Sequence, residues 1–286
     1  MAEIKLKEVR HLITYDCPLR CLHCYMSAGE HADVKPLQFT QEQADRFYGF
    51  FRPAVVSATG GEPLLQYDLV KILARATQKS GGALELVTNG LLLNKERVDE
   101  LNGLNEKLFY QISIDGPKNY HDYLRQKVGA YNSAMRAIDL CSASGRLTKV
   151  RMTVTPQNED KIAEVLKELD NLGRDNIKLV MRPIITAGRA RVNGIRFGEN
   201  FSGEVKYGGI AKHVGIETTD NLGKCGCGVD TIAIDPKGDI YPCCYMVFTP
   251  RFLMGNMLDG FESIGQQQEF ANYEGTCYAR HMGIKT

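Results

Sequence analysis

The sequence predicts an α/β fold built on a parallel sheet. Six short runs rich in β-branched and apolar residues alternate with helix-like segments over the first two-thirds of the chain. Each run ends in glycine or polar residues of the kind that stop a strand. Strands joined by helical crossovers pair in parallel with right-handed connections, so the chain forms either an open barrel or a doubly wound sheet.

The predicted elements follow one another in order along the chain. The strands are expected at 9–15, 54–58, 83–88, 108–114, 149–155 and 177–183. The helices are expected at 40–51, 67–80, 94–102, 131–143 and 159–172. Thr40 is the predicted N-cap of the first helix, with Glu42 and Gln43 in its first turn.

Chemically distinctive residues fall directly after these strands. In strand order they are the cysteine loop after Tyr15, Gly60-Gly61-Glu62-Pro63, Asn89-Gly90, Ser113-Ile114-Asp115-Gly116, Thr153 with Thr155 and Asn158, and Arg182 with Gly188-Arg189-Ala190. Each segment alone is more typical of a turn than of a ligand site. Because ligands of parallel α/β folds bind at the carboxyl ends of the strands, their joint position predicts a ligand site at this edge.

Three cysteines, Cys17, Cys21 and Cys24, stand at C-x3-C-x2-C spacing after the first strand. A cubane [4Fe–4S] cluster has four irons, and each prefers a soft thiolate ligand. Three cysteines leave one iron without a protein ligand, so a small chelating molecule can bind there, as at the open position of a catalytic zinc site. The alternatives are a zinc knuckle and three unrelated buried cysteines.

Composition narrows the class of protein. With 286 residues, 43% hydrophobic and 24% charged, the chain forms one large domain, or one domain with a small appendage, around a sizeable core. A net charge of +1 gives no bulk electrostatic case for nucleic acid or an anionic membrane. We find no membrane-spanning run and no signal peptide, so the nine cysteines predict a reducing, cytoplasmic setting in which thiols bind metals. Cys141, inside a predicted helix, is expected to be a buried structural thiol.

The cysteine loop, the Gly-Gly-Glu-Pro turn and the Ser-Ile-Asp-Gly stretch together resemble the radical S-adenosylmethionine (SAM) superfamily. The resemblance implies a core domain at 1–190, a partial (β/α)6 TIM-like barrel with a [4Fe–4S] cluster at its mouth. It implies that SAM chelates the open iron and is cleaved by one electron to methionine and a 5′-deoxyadenosyl radical. That radical takes a hydrogen atom from the substrate.

The resemblance also assigns roles to single residues. Cys17, Cys21 and Cys24 would bind the cluster, and His23 would lie beside the adenine. The turn Gly60-Gly61-Glu62-Pro63 would meet the SAM amino group through backbone oxygens, with the Glu62 side chain as a further candidate contact.

The remaining SAM contacts are expected on the next strands. Ser113 and Asp115 would face the ribose or methionine end, with Asn89 and Thr153 nearby. The stretch from Asp115 through His121 and Asp122 to Arg125 resembles one large subgroup, in which the arginine pairs with the SAM carboxylate. For Arg125 the alternative is a solvated charge on a helix.

The last part of the chain, 191–286, is predicted to form a second, smaller domain. Residues 191–224 are glycine-rich and are expected to run irregularly over the barrel. A β-hairpin with a Pro236-Lys237-Gly238 turn follows, and five cysteines accompany it. They are Cys225, Cys227, Cys243, Cys244 and Cys277. Because the hairpin brings flanking cysteines together, it predicts a metal site that holds either zinc or an iron–sulfur cluster.

The cysteine–glycine–cysteine spacing of this hairpin resembles the SPASM and shorter twitch extensions of radical SAM enzymes. A twitch unit of a hairpin and a helix with one auxiliary [4Fe–4S] cluster is expected, because a full SPASM domain needs more cysteines. The expected ligands, in order, are Cys243, Cys277, Cys227 and Cys225, with Cys244 or His281 as substitutes. A leftover thiol, with Cys225 as candidate, would donate a hydrogen atom to a substrate radical; the alternative is an inert buried cysteine.

The resemblance favours a ribosomally made peptide as the substrate, modified by crosslinking, epimerisation or side-chain oxidation. Dehydrogenation of a small molecule such as an aminosugar is the main alternative. The first strand is predicted to begin near Val9, so we expect no fused leader-recognition domain, which counts against a peptide. A flavodoxin or ferredoxin is the expected reductant.

Two hypotheses belong to other classes of protein. An iron–sulfur or zinc scaffold without SAM chemistry requires the glycine turn, Ser113 and Asp115 to be incidental. A radical SAM enzyme that modifies nucleic acid requires a basic face or an RNA-binding domain, and the near-neutral charge argues against it.

Overall fold

The computed structural model describes residues 6–31, 33–196, 213–217 and 226–264. Six parallel strands form the main part of the sheet, at the positions predicted to within two residues. They are β1 (Glu8–Thr14), β2 (Val55–Gly60), β3 (Ala83–Thr88), β4 (Phe109–Ser113), β5 (Thr148–Val154) and β6 (Ile177–Pro183).

Seven helices connect or follow these strands among the described residues. They are α1 (Gln41–Phe51), α2 (Tyr67–Ser80), α3 (Lys95–Leu104), α4 (Lys118–Arg125), α5 (Ala130–Ala143), α6 (Ile162–Asp170) and α7 (Gly188–Val192). The predicted cap of α1 is confirmed, because Thr40 Oγ1 accepts from Gln43 N at 3.3 Å and Gln43 Oε1 accepts from Thr40 N at 2.8 Å. Helices α4 and α7 are additional to the five predicted ones.

Four further strands extend the same sheet on both sides. They are β7 (Gly215–Glu217), β8 (Thr231–Ile234), β9 (Asp239–Tyr241) and β10 (Gly255–Asn256). The sheet order is β10-β9-β8-β1-β2-β3-β4-β5-β6-β7. Strand β7 pairs with β6, so the prediction of an irregular connection over 191–224 is wrong at 215–217, where pairing with β6 overrides the glycine-rich composition.

The predicted hairpin is present as β8 and β9, and β8 pairs in parallel with β1. The C-terminal hairpin therefore continues the sheet of the barrel rather than standing apart from it. The helix expected after the hairpin, together with Cys225, Cys277 and His281, lies outside the described residues.

The two faces of the sheet differ in chemistry. Val56, Leu84, Ile112 and Val150 point toward the helices and belong to the main apolar core. Burying each such side chain contributes about 1.5–3 kcal/mol. Alternate positions point to the opposite, inner face, because successive strand residues alternate sides. Several of these inner positions are polar: Arg10, Ser57, Glu85, Gln111, Lys149 and Arg151.

None of the described helices combines the length and the apolar character that crossing a bilayer demands.

Candidate functional site

The cysteine loop leaves the end of β1 and is fastened there by the end of β2. Gly61 N donates to Thr14 O at 2.7 Å, and Glu62 N donates to Asp16 O at 2.8 Å. A Cβ at Gly60 would lie 2.4 Å from Thr14 O, and one at Gly61 would lie 2.1 Å from Asp16 O. The glycine pair is therefore required for two main chains to approach closely at the base of the loop.

The segment after β6 fastens the other side of the loop. Gly188 has a φ of +51°, and a Cβ on it would lie 2.6 Å from Cys24 O. Arg189 N donates to Cys24 O at 2.9 Å, and its guanidinium donates to Cys21 O at 2.8 Å and Ala28 O at 3.1 Å. Sequence reasoning placed this segment at the correct edge but gave Arg189 no role.

Two of the three loop thiols, Cys17 and Cys24, have an N–H group near the sulfur. Ala28 N donates to Cys24 Sγ at 3.3 Å, and Asn89 Nδ2 lies 3.9 Å from Cys17 Sγ. Burial raises the pKa of Cys17 to about 11 and that of Cys21 to about 12, so a bound metal must displace their protons. Thiolates with N–H donors to sulfur are the ligand set of iron–sulfur clusters, and the loop fits one.

A buried ion pair lies beside the loop at the end of β4. Asp115 Oδ2 accepts from Arg125 Nε at 2.8 Å and Nη2 at 2.7 Å, and its Oδ1 accepts from Thr153 N at 3.1 Å. Burial would raise the pKa of Asp115, but the Arg125 guanidinium outweighs burial and holds it at about 2. Arg125 is only 8% exposed, which excludes the alternative of a solvated helix charge.

Two histidines flank Asp115. His23 Nε2 lies 3.5 Å from Asp115 Oδ2, and His121 Nδ1 accepts from Asp115 N at 3.1 Å. Burial lowers the pKa of His23 to about 4 and that of His121 to about 3, so both rings are neutral at pH 7. His23 Nδ1 and His121 Nε2 are buried without a hydrogen-bond partner. An orphaned ring nitrogen next to the loop suits a bound molecule that completes its hydrogen bonds.

Glu62 is fully buried and joins the ends of β2 and β3. Its Oε1 accepts from Thr88 Oγ1 at 2.7 Å and Leu64 N at 3.2 Å, and its Oε2 accepts from Asn89 N at 2.9 Å. Burial raises the pKa of Glu62, and the backbone N–H of Asn89 acts against that rise. Glu62 thus fixes Asn89, whose amide faces Cys17.

Two further predicted site residues lie at the same edge. Pro63 opens the 3-10 turn that leads from β2 into α2. Ser113 ends β4, half-buried and opposite Arg151 of β5 in the strand register.

The C-terminal hairpin brings its cysteines close to the loop. Cys227, Cys243 and Cys244 are buried, and the Cys243 thiol interacts with both of the others. They share one buried cluster with Cys17 and Cys24. Among the described residues, no three Cys, His, Asp or Glu side chains are arranged to hold a single metal ion.

A pair of tyrosines lies between the two cysteine groups. Tyr25 directly follows Cys24, and Tyr245 directly follows Cys244. Their rings meet edge to face, with centroids 4.9 Å apart. This aromatic contact is one of those that join the two cysteine groups.

A polar network covers the inner face of β1, β2, β3 and β5. Arg10 donates to both carboxylate oxygens of Glu8 at 3.0 Å. Ser57 Oγ lies 3.1 Å from Glu8 Oε1 and 2.5 Å from Glu85 Oε2, and Lys149 Nζ lies 3.9 Å from Glu85. Sequence reasoning missed this network. Its signal was polar residues at alternate strand positions, where complete barrels carry branched apolar side chains.

Comparison with known proteins agrees with this geometry. Residues 12–169 match the model of the radical SAM superfamily, and residues 225–282 match the SPASM iron–sulfur cluster-binding domain. The first match covers more than half of the chain, so the protein belongs to the radical SAM superfamily and carries a C-terminal SPASM domain. The predicted cofactors are confirmed: a [4Fe–4S] cluster, SAM and an auxiliary iron–sulfur cluster.

Several proteins are similar to this chain. The antilisterial bacteriocin subtilosin biosynthesis protein AlbA of Bacillus subtilis is 27% identical over 267 residues, covering 88% of this chain and 58% of AlbA. The pre-heme d1 synthase of Dinoroseobacter shibae is 34% identical over 185 residues, covering 63% of this chain and 44% of the synthase. This chain thus spans about half the length of these two relatives.

The fold has a solved counterpart. SuiB of Streptococcus suis, solved with S-adenosylmethionine bound, superposes with a TM-score of 0.72 at 14% identity, covering 99% of this chain and 75% of SuiB. At that identity the likeness establishes the fold, and the predicted α/β class with its partial barrel is confirmed.

Proposed function

We propose that this protein is a radical SAM enzyme that takes a hydrogen atom from a ribosomally made peptide. One observation carries the proposal: three thiols, the orphaned His23 Nδ1 and the Asn89 amide meet at the carboxyl ends of the strands. When bound at this site, the cluster supplies the electron that cleaves SAM to methionine and a 5′-deoxyadenosyl radical.

The residues of the chain orient and shield the bound molecules. The main-chain contacts of Gly61 and Arg189 hold the loop so that its thiols keep their spacing. Asp115 and Arg125 form a fixed pair under the loop, and His23, kept neutral by burial, offers a ring nitrogen to the adenine side of SAM. A site organised before binding loses less freedom when its ligands arrive.

The peptide is proposed from two kinds of support. AlbA is named for the biosynthesis of a bacteriocin, and SuiB has also been solved with its precursor peptide SuiA. The inner face of the sheet presents Glu8, Arg10, Lys149 and Arg151, which suit the amides and polar side chains of a peptide better than an apolar ligand.

A small-molecule substrate is the second candidate. The similarity to a pre-heme d1 synthase favours it, because that relative is named for making a small cofactor. The two candidates are separated by which compound changes mass when the reduced enzyme is supplied with it.

The first experiment tests SAM cleavage. The protein is reconstituted anaerobically with iron and sulfide, reduced with a flavodoxin or ferredoxin system, and assayed for 5′-deoxyadenosine by mass spectrometry. The Cys17→Ala/Cys21→Ala/Cys24→Ala variant is expected to lose 5′-deoxyadenosine formation while its iron falls from about eight to about four per chain.

Cys141→Ala is the matched control, because this thiol is fully buried in α5 and belongs to neither cysteine group. It should keep both its iron and its activity. Undiminished 5′-deoxyadenosine from the triple variant would overturn the proposed site, and loss of all iron from it would overturn the second cluster.

The second experiment tests the substrate. Precursor peptides encoded beside the gene are incubated with the reduced enzyme and SAM in deuterated water. Loss of hydrogen atoms indicates crosslinking or oxidation, whereas deuterium uptake without another mass change indicates epimerisation. We further propose Cys225 as the hydrogen donor in the second case, so Cys225→Ala should abolish the uptake. A peptide that never changes mass, beside a small molecule that does, would favour the second candidate.

A further inference from the structure

One side chain of β1 connects the barrel to the C-terminal cysteine group. Arg10 Nη1 lies 3.6 Å from Cys244 Sγ, while its Nε and Nη2 both donate to the Glu8 carboxylate at 3.0 Å. A guanidinium is planar and presents its donors in a fixed fork. The bidentate contact with Glu8 therefore fixes the direction in which the remaining nitrogen meets the sulfur.

A guanidinium facing a sulfur atom suits a negatively charged sulfur. A neutral thiol is a weak acceptor and gains little from a cation. Arg10 supplies such a cation to the Cys244 sulfur. The Tyr25 hydroxyl interacts with the same sulfur. Cys244 thus has two polar neighbours that favour its thiolate, the form that binds iron.

The charges around Arg10 come from several strands. Glu8 is the direct counter-ion, and Ser57 of β2 contacts both Glu8 and Glu85. Arg151 of β5 acts electrostatically on Glu8 and on Tyr245. Among these groups Arg10 is the cation placed against the thiol.

We propose that Arg10 is a positioning residue that holds a positive charge against Cys244, a ligand of the auxiliary cluster, and thereby raises the reduction potential of that cluster. Reduction adds an electron, and a nearby cation stabilises the reduced form more than the oxidised form. The Glu8 carboxylate offsets part of this effect. The proposal goes beyond the proposed function, because it holds for any substrate.

The test measures the auxiliary cluster in the full chain without SAM or substrate. In the Cys17→Ala/Cys21→Ala/Cys24→Ala background the remaining signal belongs to that cluster, and a redox titration followed by electron paramagnetic resonance gives its potential. Arg10→Gln should lower the equilibrium constant of one-electron reduction about tenfold, a shift of about 59 mV to more negative values. Glu8→Gln should shift the potential in the opposite direction, and Arg10→Lys should restore most of the wild-type value.

The opposite directions of the two potential shifts distinguish an effect of charge from a structural disturbance of the site. A loosened site would move the potential the same way in Arg10→Gln and Glu8→Gln, and that result overturns the proposal. An unchanged potential in Arg10→Gln, or loss of iron from Arg10→Gln and Arg10→Lys alike, also overturns it. Arg174→Gln, which removes a cation that pairs with the exposed Asp139 of α5, is the control and should leave the potential unchanged.

Cys244→Ala tests the ligand assignment separately. It should remove the auxiliary iron from this background, and full retention of iron overturns the assignment. Because neither measurement involves SAM cleavage or a peptide, failure here is distinguishable from failure of the proposed function.

Discussion

The two cysteine groups are held in different ways. The N-terminal loop is fastened mainly by main-chain contacts, from Gly61 after β2, from the end of α4, where Leu124 O accepts from Leu22 N at 2.8 Å, and from α7. The C-terminal group stands on a hairpin that pairs with β1 through β8, and its Cys244 thiol meets the rest of the protein through the side chains of Arg10 and Tyr25. The difference indicates that backbone geometry controls the first site and side-chain charge controls the second.

Asp115→Asn would break this contrast if a side-chain charge also controls the first site, because it neutralises the carboxylate that pairs with Arg125. It leaves Arg125 buried without its counter-ion, at a cost of about 3–5 kcal/mol in the free energy of unfolding, measured by urea denaturation. Asp139→Asn is the comparison; because Asp139 is exposed and its partner Arg174 only half-buried, it should cost less than about 1 kcal/mol. Equal losses in the free energy of unfolding would mean that the buried pair contributes no more to stability than the partly exposed one.

Gly188→Ala sharpens the contrast by crowding the main chain of the loop. The new Cβ would lie 2.6 Å from Cys24 O at a φ of +51°. We expect a loss of about 3 kcal/mol, from backbone strain and overpacking together, and loss of iron from the N-terminal site only.

Gly194→Ala is its matched control. That glycine also has a positive φ, +65°, but a Cβ there meets nothing within 4 Å. It should cost only the backbone strain of about 1–2 kcal/mol and keep all its iron. If both variants lose iron equally, the strain and not the close approach is responsible.

Arg189→Met removes a side chain that acts on carbonyl oxygens of the loop. Losing the charged hydrogen bonds to Cys21 O and Ala28 O should cost about 2 kcal/mol and lower the iron bound at the N-terminal site. The auxiliary iron, counted in the same sample by Mössbauer spectroscopy, should be unchanged. Arg191→Met, two residues further on, is the control. A loss shared by both clusters would contradict independent fastening of the two sites.

The smallest expected effect concerns His11 on β1, the strand that leads into the N-terminal cysteine loop and pairs with the C-terminal hairpin. The measured quantity is the pH dependence of the free energy of unfolding. Its ring is buried against Phe39 and Tyr48, and burial lowers its pKa to about 3. The folded state therefore holds it neutral, and its contribution to stability is complete above the unfolded pKa of about 6.5 and decreases as the pH falls from there toward 3.

Between pH 7.5 and 5.5 this single group should remove about 1.4 kcal/mol from the free energy of unfolding. In His11→Phe the free energy of unfolding should fall by about 1.4 kcal/mol less than in the wild type over the same pH range. This comparison does not depend on how much the substitution changes stability at pH 7.5. Parallel pH profiles for wild type and variant would show that His11 does not titrate on unfolding. The iron content of each of the two sites should be the same in wild type and in His11→Phe.

Local signals in the sequence predicted the barrel well. Strands such as β3 and β6 are short apolar runs with glycine or polar ends, and a capping box marks the start of α1. Helix α4 escaped prediction because it has only eight residues and no side-chain cap. Strand β7 has little strand character of its own and depends on pairing with β6.

Residues of the candidate site could be predicted where they belong to a recognisable sequence motif. The cysteines, Glu62 and Asp115 stand in recognisable stretches directly after strands. Arg10 stands in no such stretch, and Arg189 follows β6 without a motif that gives it a role. Each acts on a partner more than 150 residues away in the chain. Such contacts follow from strand pairing across the whole sheet, which local patterns do not contain.

The pairing of β8 with β1 has a consequence for synthesis on the ribosome. Strand β1 lies between β8 and β2 in the finished sheet but is synthesised before both of them, since β2 begins at Val55 and β8 only at Thr231. Until then one edge of β1 exposes unpaired N–H and C=O groups, which can pair with another nascent chain. The charged Glu8 and Arg10, pointing inward from that strand, are the kind of residue that discourages such pairing. We therefore expect them to protect the growing chain from aggregation before they serve the finished fold.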